Sequence, residues 1–186
     1  FKFGFIGDSD THNAAASVAE DNYTGKFGFE NDPKHRLEGP PGVPEAAIKQ
    51  VQQFSTGGLA GVWAKSNTRE DIFDAIKARE TFATSGPRMQ VRFFGGYDFG
   101  QHPVEGEWLT HAYNAGVPMG SDLPAAGDGD VPVFIIHAMK EADGANLDRI
   151  QIIKGMLDEN GNQQEVIYDV ALSDGRTDGA TAVGNT

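Results

Sequence analysis

The sequence predicts an α/β segment followed by a smaller β-rich domain. Residues 2–6 form an apolar run that ends at Gly7 and an acidic cluster, which indicates a strand covered on both faces. An amphipathic helix follows later, with Thr68 placed to cap it. From Val131 onward the pattern is that of short strands and turns. We therefore expect one domain over residues 1–88 and a second over residues 89–186.

Two helices and a short strand are predicted in the first domain. The first helix begins with Pro44 in its first turn and ends before Gly57. The second follows Thr68, and its charges complement the helix dipole, acidic in the first turn and basic in the last: Glu70, Asp71, Lys77, Arg79. A strand over Thr81–Thr84 comes next. Residues 12–42 show no sustained periodicity of apolar residues and are expected to form a long connection.

The second domain is predicted to be mainly β, with one short helix and a mobile tail. The helix is expected around residues 104–114, and residues 177–186 form a tail rich in Gly, Ala and Thr. Asn160-Gly161 is a strong signal for a two-residue hairpin. The expected strands are residues 89–94, 131–138, 147–154 and 166–172. These features predict a small antiparallel β-sandwich-like domain.

Composition and charge exclude several classes of partner and of chemistry for this chain. The chain has 186 residues with a formal net charge of -12, which argues against a nucleic-acid partner. It has no cysteine, which excludes disulfides, thiol catalysis and cysteine-ligated zinc. No apolar run is long enough for a membrane span. The sequence does not distinguish a periplasmic from a cytoplasmic location, and it does not indicate an oligomeric state.

The residues after the first predicted strand can bind a metal ion. Asp10 and His12 are two positions apart, so on an extended segment their side chains project to the same side. A carboxylate and an imidazole both suit zinc, manganese or iron. The alternative interpretation is a strand-terminating turn with a histidine on the surface. The other histidines show no complementary spacing: His35, His102, His111, His137.

A second candidate site follows the strand over residues 81–84. The hydroxyl of Ser85 and the guanidinium of Arg88 can hold an anionic group of a substrate. The alternative is a tight turn with a solvated arginine.

Two weaker patterns have structural alternatives. Residues 158–162 suggest a calcium loop, but a hairpin turn explains them better, because the sixth loop position is Gln163 and strands flank the segment. Trp63, Trp108 and Tyr113 are candidates for a sugar-stacking platform, although their spacing favours a place in the core.

Long stretches of the chain resemble a known family. They are FGFIGDSDTHN, EDNYTGKFG, GGLAGVWAKSNTREDIFDAIKARETFATSGPR, GVPMGSDLP, RIQIIKGMLDENG and EVIYDVALSDGR. With these stretches the chain resembles the C-terminal part of the DUF3604 family. That family is similar to the polymerase-and-histidinol-phosphatase (PHP) superfamily of metal-dependent hydrolases.

The resemblance implies a fold, a reaction and a cofactor. The fold would be the terminal portion of a distorted PHP-like β/α barrel over residues 1–88. PHP proteins carry a multi-metal centre built from an early His-x-His, several middle ligands and a late Asp-x-His, and the late pair would be Asp10 and His12. The expected cofactors are divalent zinc, manganese or iron ions, which lower the pKa of a bound water. The expected substrate is a small anionic ester, such as a phosphate ester.

The chain departs from the PHP pattern because it contains no His-x-His. We therefore expect it to be the C-terminal part of a larger enzyme and to be inactive by itself, since two ligands do not complete a catalytic metal centre. Two alternatives stay open. One is a non-catalytic module that binds carbohydrate or protein, and the other is a PHP-like fold with a decayed site.

Overall fold

The computed structural model describes residues 2–8, 42, 44, 58–100, 106–173 and 175–176. These residues form a mixed, β-rich arrangement, and the predicted β-rich character is confirmed. Its elements are β1 (Leu59–Val62), α1 (Arg69–Ala78), β2 (Thr81–Thr84), β3 (Gln90–Gly96), α2 (Trp108–Ala115), β4 (Gly116–Pro118), β5 (Val133–Met139), β6 (Arg149–Leu157) and β7 (Gln163–Leu172). The predicted long connection, the helix predicted to begin at Pro44 and the tail over residues 177–186 lie outside the described residues.

The chain divides into two compact units, Phe1–His137 and Ala138–Thr186. The predicted domain boundary between residues 88 and 89 does not coincide with this division and stays a prediction. Neither helix in the described part is long and apolar enough to cross a membrane.

The described strands pair in three small sheets that do not close into a barrel. β1 and β2 are antiparallel, with Leu59 opposite Thr84 and Val62 opposite Thr81. A three-stranded sheet has the order β4-β3-β5, and β3 runs antiparallel to β4. β6 and β7 form an antiparallel pair with an irregularity after Ile150. The strand predicted over residues 81–84 is confirmed as β2.

Helix α1 begins and ends at residues with specific backbone roles. The Thr68 side chain accepts a hydrogen bond of 3.3 Å from the backbone N–H of Asp71, which confirms the predicted cap. At the other end Arg79 adopts the left-handed conformation, with φ of 64°. This conformation is uncommon for a residue with a side chain, and it turns the chain sharply from α1 into β2.

The core of the first unit lies where β3, α2 and β5 meet. Its buried residues are Phe94, Phe99, Ala112 and Ile135, with Trp108 and Leu109 packed against them. The Phe94 and Trp108 rings meet edge to face, with centroids 6.3 Å apart. The predicted helix before Gly116 is therefore present as α2, shorter than expected, and Trp108 on it is partly buried against the core.

The prediction of a covered strand at residues 2–6 is wrong for the described structure. These residues are not part of a sheet, and Phe3, Phe5 and Ile6 are 79%, 75% and 68% exposed. Within the described ranges, residues 2–8 make one backbone hydrogen bond to another part of the chain, between Asp8 and Gly58. An apolar run predicts burial only where neighbouring strands supply a complete ladder, and the described neighbours do not supply one.

Candidate functional site

Three chain segments meet at Gly58, just before β1. The Gly58 N–H donates a hydrogen bond of 3.2 Å to the carbonyl oxygen of Asp8. A Cβ atom at Gly58 would lie 2.8 Å from that oxygen and 2.8 Å from the carbonyl oxygen of Thr84. The end of residues 2–8, the start of β1 and the end of β2 are therefore in direct backbone contact.

Gly7 also lies against the ends of β1 and β2, and its lack of a side chain permits this close approach. A Cβ atom there would lie 2.4 Å from the carbonyl oxygen of Leu59 and 2.8 Å from that of Thr84. Real Cβ atoms do not approach backbone oxygen this closely, so only glycine fits at this approach. The sequence stretch FIGD thus lies against the ends of β1 and β2.

The predicted metal ligands Asp10 and His12 lie outside the described residues. Asp8, the last described residue before them, is at the convergence around Gly58. Carboxylate and imidazole groups match the donors that zinc, manganese and iron take in proteins. Among the described residues, no group of three or more His, Asp or Glu side chains is placed to hold a metal ion. Asp10 and His12 thus fit a metal chemically but need further ligands.

Ser85 and Arg88 lie in the turn that directly follows β2. Both are exposed, and neither side chain makes a hydrogen bond or ion pair within the described part of the chain. Inside the turn, the Gly86 N–H donates to the Thr84 hydroxyl at 3.5 Å. The predicted anion-binding side chains are therefore accessible, and Ser85 directly follows Thr84, whose carbonyl oxygen lies at the convergence with Asp8.

The predicted hairpin between β6 and β7 is confirmed, but its predicted two-residue turn is wrong. Leu157 and Gln163 are the last paired residues, so residues 158–162 form the connection. The Asp158 carboxylate accepts hydrogen bonds from the backbone N–H groups of Asn160 and Asn162, at 2.9 and 2.8 Å. The Asn162 side chain also donates to it, and this bond is the main cause that lowers the pKa of Asp158. The carboxylate is thus used to close the turn, which explains the acidic pattern without calcium.

The candidate sugar-stacking residues do not form a common platform. Trp108 packs on the core, as its spacing indicated, whereas one face of Trp63 is covered by Arg92, whose guanidinium carbon lies 3.5 Å from the ring centroid. Arg92 also donates to the Tyr113 hydroxyl at 3.1 Å, and that hydroxyl donates to the Glu80 carboxylate. The pKa of Tyr113 is raised mainly by partial burial and, to a smaller extent, by the hydrogen bond to Glu80.

The first unit also carries a cavity that the sequence did not indicate. Its volume is about 450 Å³, which lies in the range of small-molecule sites. The walls come from residues 2–8, β2, β3 and the turn after β4, and most of the side chains are apolar. The lining residues are Phe3, Gly4, Phe5, Arg79, Thr81, Phe82, Ala83, Val91, Phe93, Met119 and Gly120.

Arg79 is the charged residue in the wall of this cavity. Its Nε donates a hydrogen bond of 2.9 Å to the carbonyl oxygen of Gly120. Nearby, Lys2 and Asp122 form an ion pair, and the Lys2 hydrogen bond is the main cause that lowers the pKa of Asp122, with a smaller contribution from the Arg79 charge. Sequence reasoning treated Arg79 only as a charge complementing the helix dipole. Nothing in the local pattern indicates its contact with a residue 41 positions away.

Comparison with known proteins identifies the family. The family described as "Protein of unknown function (DUF3604)" matches residues 1–185. Comparisons with curated proteins and with solved structures give no match. The family match extends over nearly the whole chain, including the convergence at Gly58, the turn after β2 and the cavity. The chain therefore belongs to the DUF3604 family.

Proposed function

We propose that this chain contributes Asp10 and His12 as metal ligands to the active site of a metal-dependent hydrolase. The substrate class is a small anionic ester, whose charged group is held by Ser85 and Arg88. In this proposal residues 1–88 are the terminal portion of a PHP-like barrel, and the metal is zinc, manganese or iron.

The backbone convergence at Gly58 is the observation that supports the proposal best. Asp8 and Thr84 both lie against Gly58, so the chain leaves this point in two directions. From Asp8 the chain reaches Asp10 within two residues, a span of at most about 7 Å. From Thr84 the next residue along the chain is Ser85. The two predicted groups, which are far apart in sequence, therefore start from neighbouring positions.

The two pairs of residues have complementary chemical roles. A divalent metal ion in a hydrolase polarises the bond that breaks and activates water. Asp10 and His12 supply an anionic and a neutral donor for such an ion. The Arg88 guanidinium can accept a phosphate or carboxylate in a bidentate manner, and the Ser85 hydroxyl can donate to the same group. Catalytic metal sites use three or more protein ligands, so the complete site needs donors in addition to Asp10 and His12.

Metal analysis of the intact protein tests the ligand assignment. We expect stoichiometric bound zinc, manganese or iron in the wild type and its loss in the Asp10→Ala and His12→Ala variants. Asp143→Ala is the matched control, because this exposed carboxylate lies in the second unit. Unchanged metal content in both ligand variants would overturn the assignment.

Kinetics of the intact protein with a simple phosphate ester, p-nitrophenyl phosphate, test the substrate assignment. We expect Arg88→Gln to raise KM about tenfold or more with a smaller effect on kcat, because the lost contact is a charged hydrogen bond to the substrate. Arg69→Gln is the control, since Arg69 is exposed at the start of α1. Equal KM values in Arg88→Gln and Arg69→Gln would exclude Arg88 from the site.

A further inference from the structure

We infer that the cavity between residues 2–8, β2 and β3 binds a small apolar molecule that ends in a carboxylate. This inference goes beyond the proposed hydrolase function and is independent of it, because it uses none of Asp10, His12, Ser85 or Arg88. It rests on three properties of the cavity, namely its apolar walls, an arginine with free donors and a buried hydroxyl without a partner.

The walls of the cavity are aromatic and aliphatic. Four phenylalanines contribute to them, together with Val91 and Met119: Phe3, Phe5, Phe82, Phe93. Phe3 and Phe5 are 79% and 75% exposed, so a ligand in the cavity would cover apolar surface that is now in contact with water. Removing such apolar surface from water favours binding. The walls therefore select an apolar body, and their rings favour an aromatic one.

Arg79 supplies the positive charge in the wall. Its Nε is engaged with Gly120, which fixes the plane of the guanidinium, while its Nη atoms make no hydrogen bond or ion pair within the described ranges. Asp122 lies close enough to interact with this charge, but its carboxylate is paired with Lys2. The three charges sum to one positive charge beside the cavity, in a chain whose net charge is -12. A fixed guanidinium with free donors favours a carboxylate.

Thr81 adds a second polar group at the same end of the cavity. Its side chain is buried, with 7% exposure for the residue, and its hydroxyl has no hydrogen-bond partner among the described residues. Buried hydroxyls are nearly always paired, so one without a partner in a cavity wall points to a ligand atom. A Cβ atom at Gly4 would lie 3.2 Å from the Thr81 hydroxyl and 3.1 Å from the Arg79 Cβ. The Thr81 hydroxyl and the aliphatic stem of Arg79 thus lie against the same glycine, and both residues line the cavity. In the inferred complex, one ligand carboxylate accepts hydrogen bonds from the hydroxyl and the guanidinium.

Calorimetric titration of the chain with two matched probes tests the inference. The probes are 2-naphthoate and 2-naphthalenemethanol, which share an aromatic body and differ in charge. We expect 2-naphthoate to bind at one site, with the neutral alcohol about tenfold weaker, since a charged hydrogen bond is lost. Absence of binding by 2-naphthoate, or equal affinity for the two probes, would overturn the inference.

Variants separate a direct contact from a structural effect. Arg79→Gln should remove the preference for the acid over the alcohol, while Arg69→Gln should keep it. Because Arg79→Gln also removes the bond to Gly120 and can destabilise the fold, two variants that leave this bond intact are needed. Thr81→Val should weaken the binding of 2-naphthoate more than that of the alcohol. Ala83→Phe should weaken the binding of both probes, because the larger side chain fills the cavity. Unchanged affinities in Thr81→Val and Ala83→Phe would show that the probes bind elsewhere and would refute the assignment.

Discussion

The Nε of Arg79 donates a hydrogen bond of 2.9 Å to the carbonyl oxygen of Gly120, and both residues have a left-handed backbone. Their φ angles are 64° and 81°. The bond joins the end of α1 to the turn after β4, two points 41 residues apart in sequence. It also fixes the orientation of the Arg79 side chain in the cavity wall. The end of α1 is therefore both a structural junction and part of the candidate ligand site.

The first prediction concerns Gly120 at this junction. A Cβ atom at Gly120 would lie 2.2 Å from the carbonyl oxygen of Arg79, in addition to the strain of a positive φ. We expect Gly120→Ala to lower the free energy of unfolding by at least about 3 kcal/mol, measured by urea denaturation. Gly129→Ala is the control, since Gly129 has φ of 86° with open space around it, and it should cost about 1 kcal/mol. Equal losses would show that the approach to Arg79 is not tight.

The second prediction concerns the packing of Phe99 in the core of the first unit. A Cβ atom at Gly116 would lie 2.5 Å from the carbonyl oxygen of Gly95 and 2.5 Å from the tip of the Phe99 ring, and Phe99 is buried. We expect Gly116→Ala to destabilise the protein by about 1–3 kcal/mol through overpacking, measured as a fall in Tm. Gly155 in β6 has no neighbour within 4 Å of an added Cβ, so Gly155→Ala should leave Tm unchanged or raise it slightly. A neutral Gly116→Ala would contradict the described approach of the Gly95 carbonyl and the Phe99 ring to Gly116.

The third prediction concerns the cap of α1. The Thr68 side chain satisfies the backbone N–H of Asp71, which has no partner within the helix. We expect Thr68→Ala to cost about 1 kcal/mol in the free energy of unfolding, and Thr68→Ser to keep most of the stability because it keeps the hydroxyl. Chemical denaturation of the three proteins measures the difference. Equal losses in the two variants would exclude the hydroxyl as the cap.

The fourth prediction concerns the ionisation of Tyr113. Burial and the Glu80 hydrogen bond raise its pKa above the ordinary value of 10.0. Because the folded-state pKa is the higher one, the unfolded state loses its proton first as the pH rises. The contribution of Tyr113 to stability is therefore complete below about pH 10 and is lost as the pH rises through the folded-state pKa.

Nuclear magnetic resonance of the Tyr113 ring carbons across an alkaline titration measures this pKa. Glu80→Gln should lower it part of the way toward the ordinary value, because burial, the larger cause, is retained. Glu159→Gln, at the exposed turn between β6 and β7, should leave it unchanged. A Tyr113 titration that is the same with and without the Glu80 carboxylate would contradict the described hydrogen bond.

Local patterns predicted the local elements well. The start of α1 was predicted from Thr68, which precedes a segment with acidic residues in its first turn and basic residues in its last. The strand predicted over residues 81–84 is present as β2. Asn160-Gly161 predicted the hairpin between β6 and β7. These features depend on a few neighbouring residues, whose caps, turns and alternation are visible in the sequence.

Features that depend on distant partners were missed or wrong. The apolar residues 2–6 predicted a covered strand, but coverage requires neighbours that a local pattern does not reveal. β1 and β4 were not predicted, since four and three residues carry too little periodicity. The cavity requires Arg79 to meet Gly120 and residues 2–8 to lie beside β2, and neither approach follows from spacing. For the candidate metal site, the sequence supplied Asp10 and His12, and the structure adds that Asp8 and Thr84 meet at Gly58.

Paramagnetic broadening by manganese tests the proposed metal site most directly, because it detects weak binding at a defined position. In amide spectra of the chain titrated with MnCl₂, we predict selective loss of the Asp8, Gly58 and Gly86 signals, which lie around the convergence. The loss should disappear in the Asp10→Ala and His12→Ala variants. Broadening confined to other acidic segments, such as residues 128–130 or 158–162, or broadening that persists in both variants, would contradict the assignment of Asp10 and His12 as metal ligands.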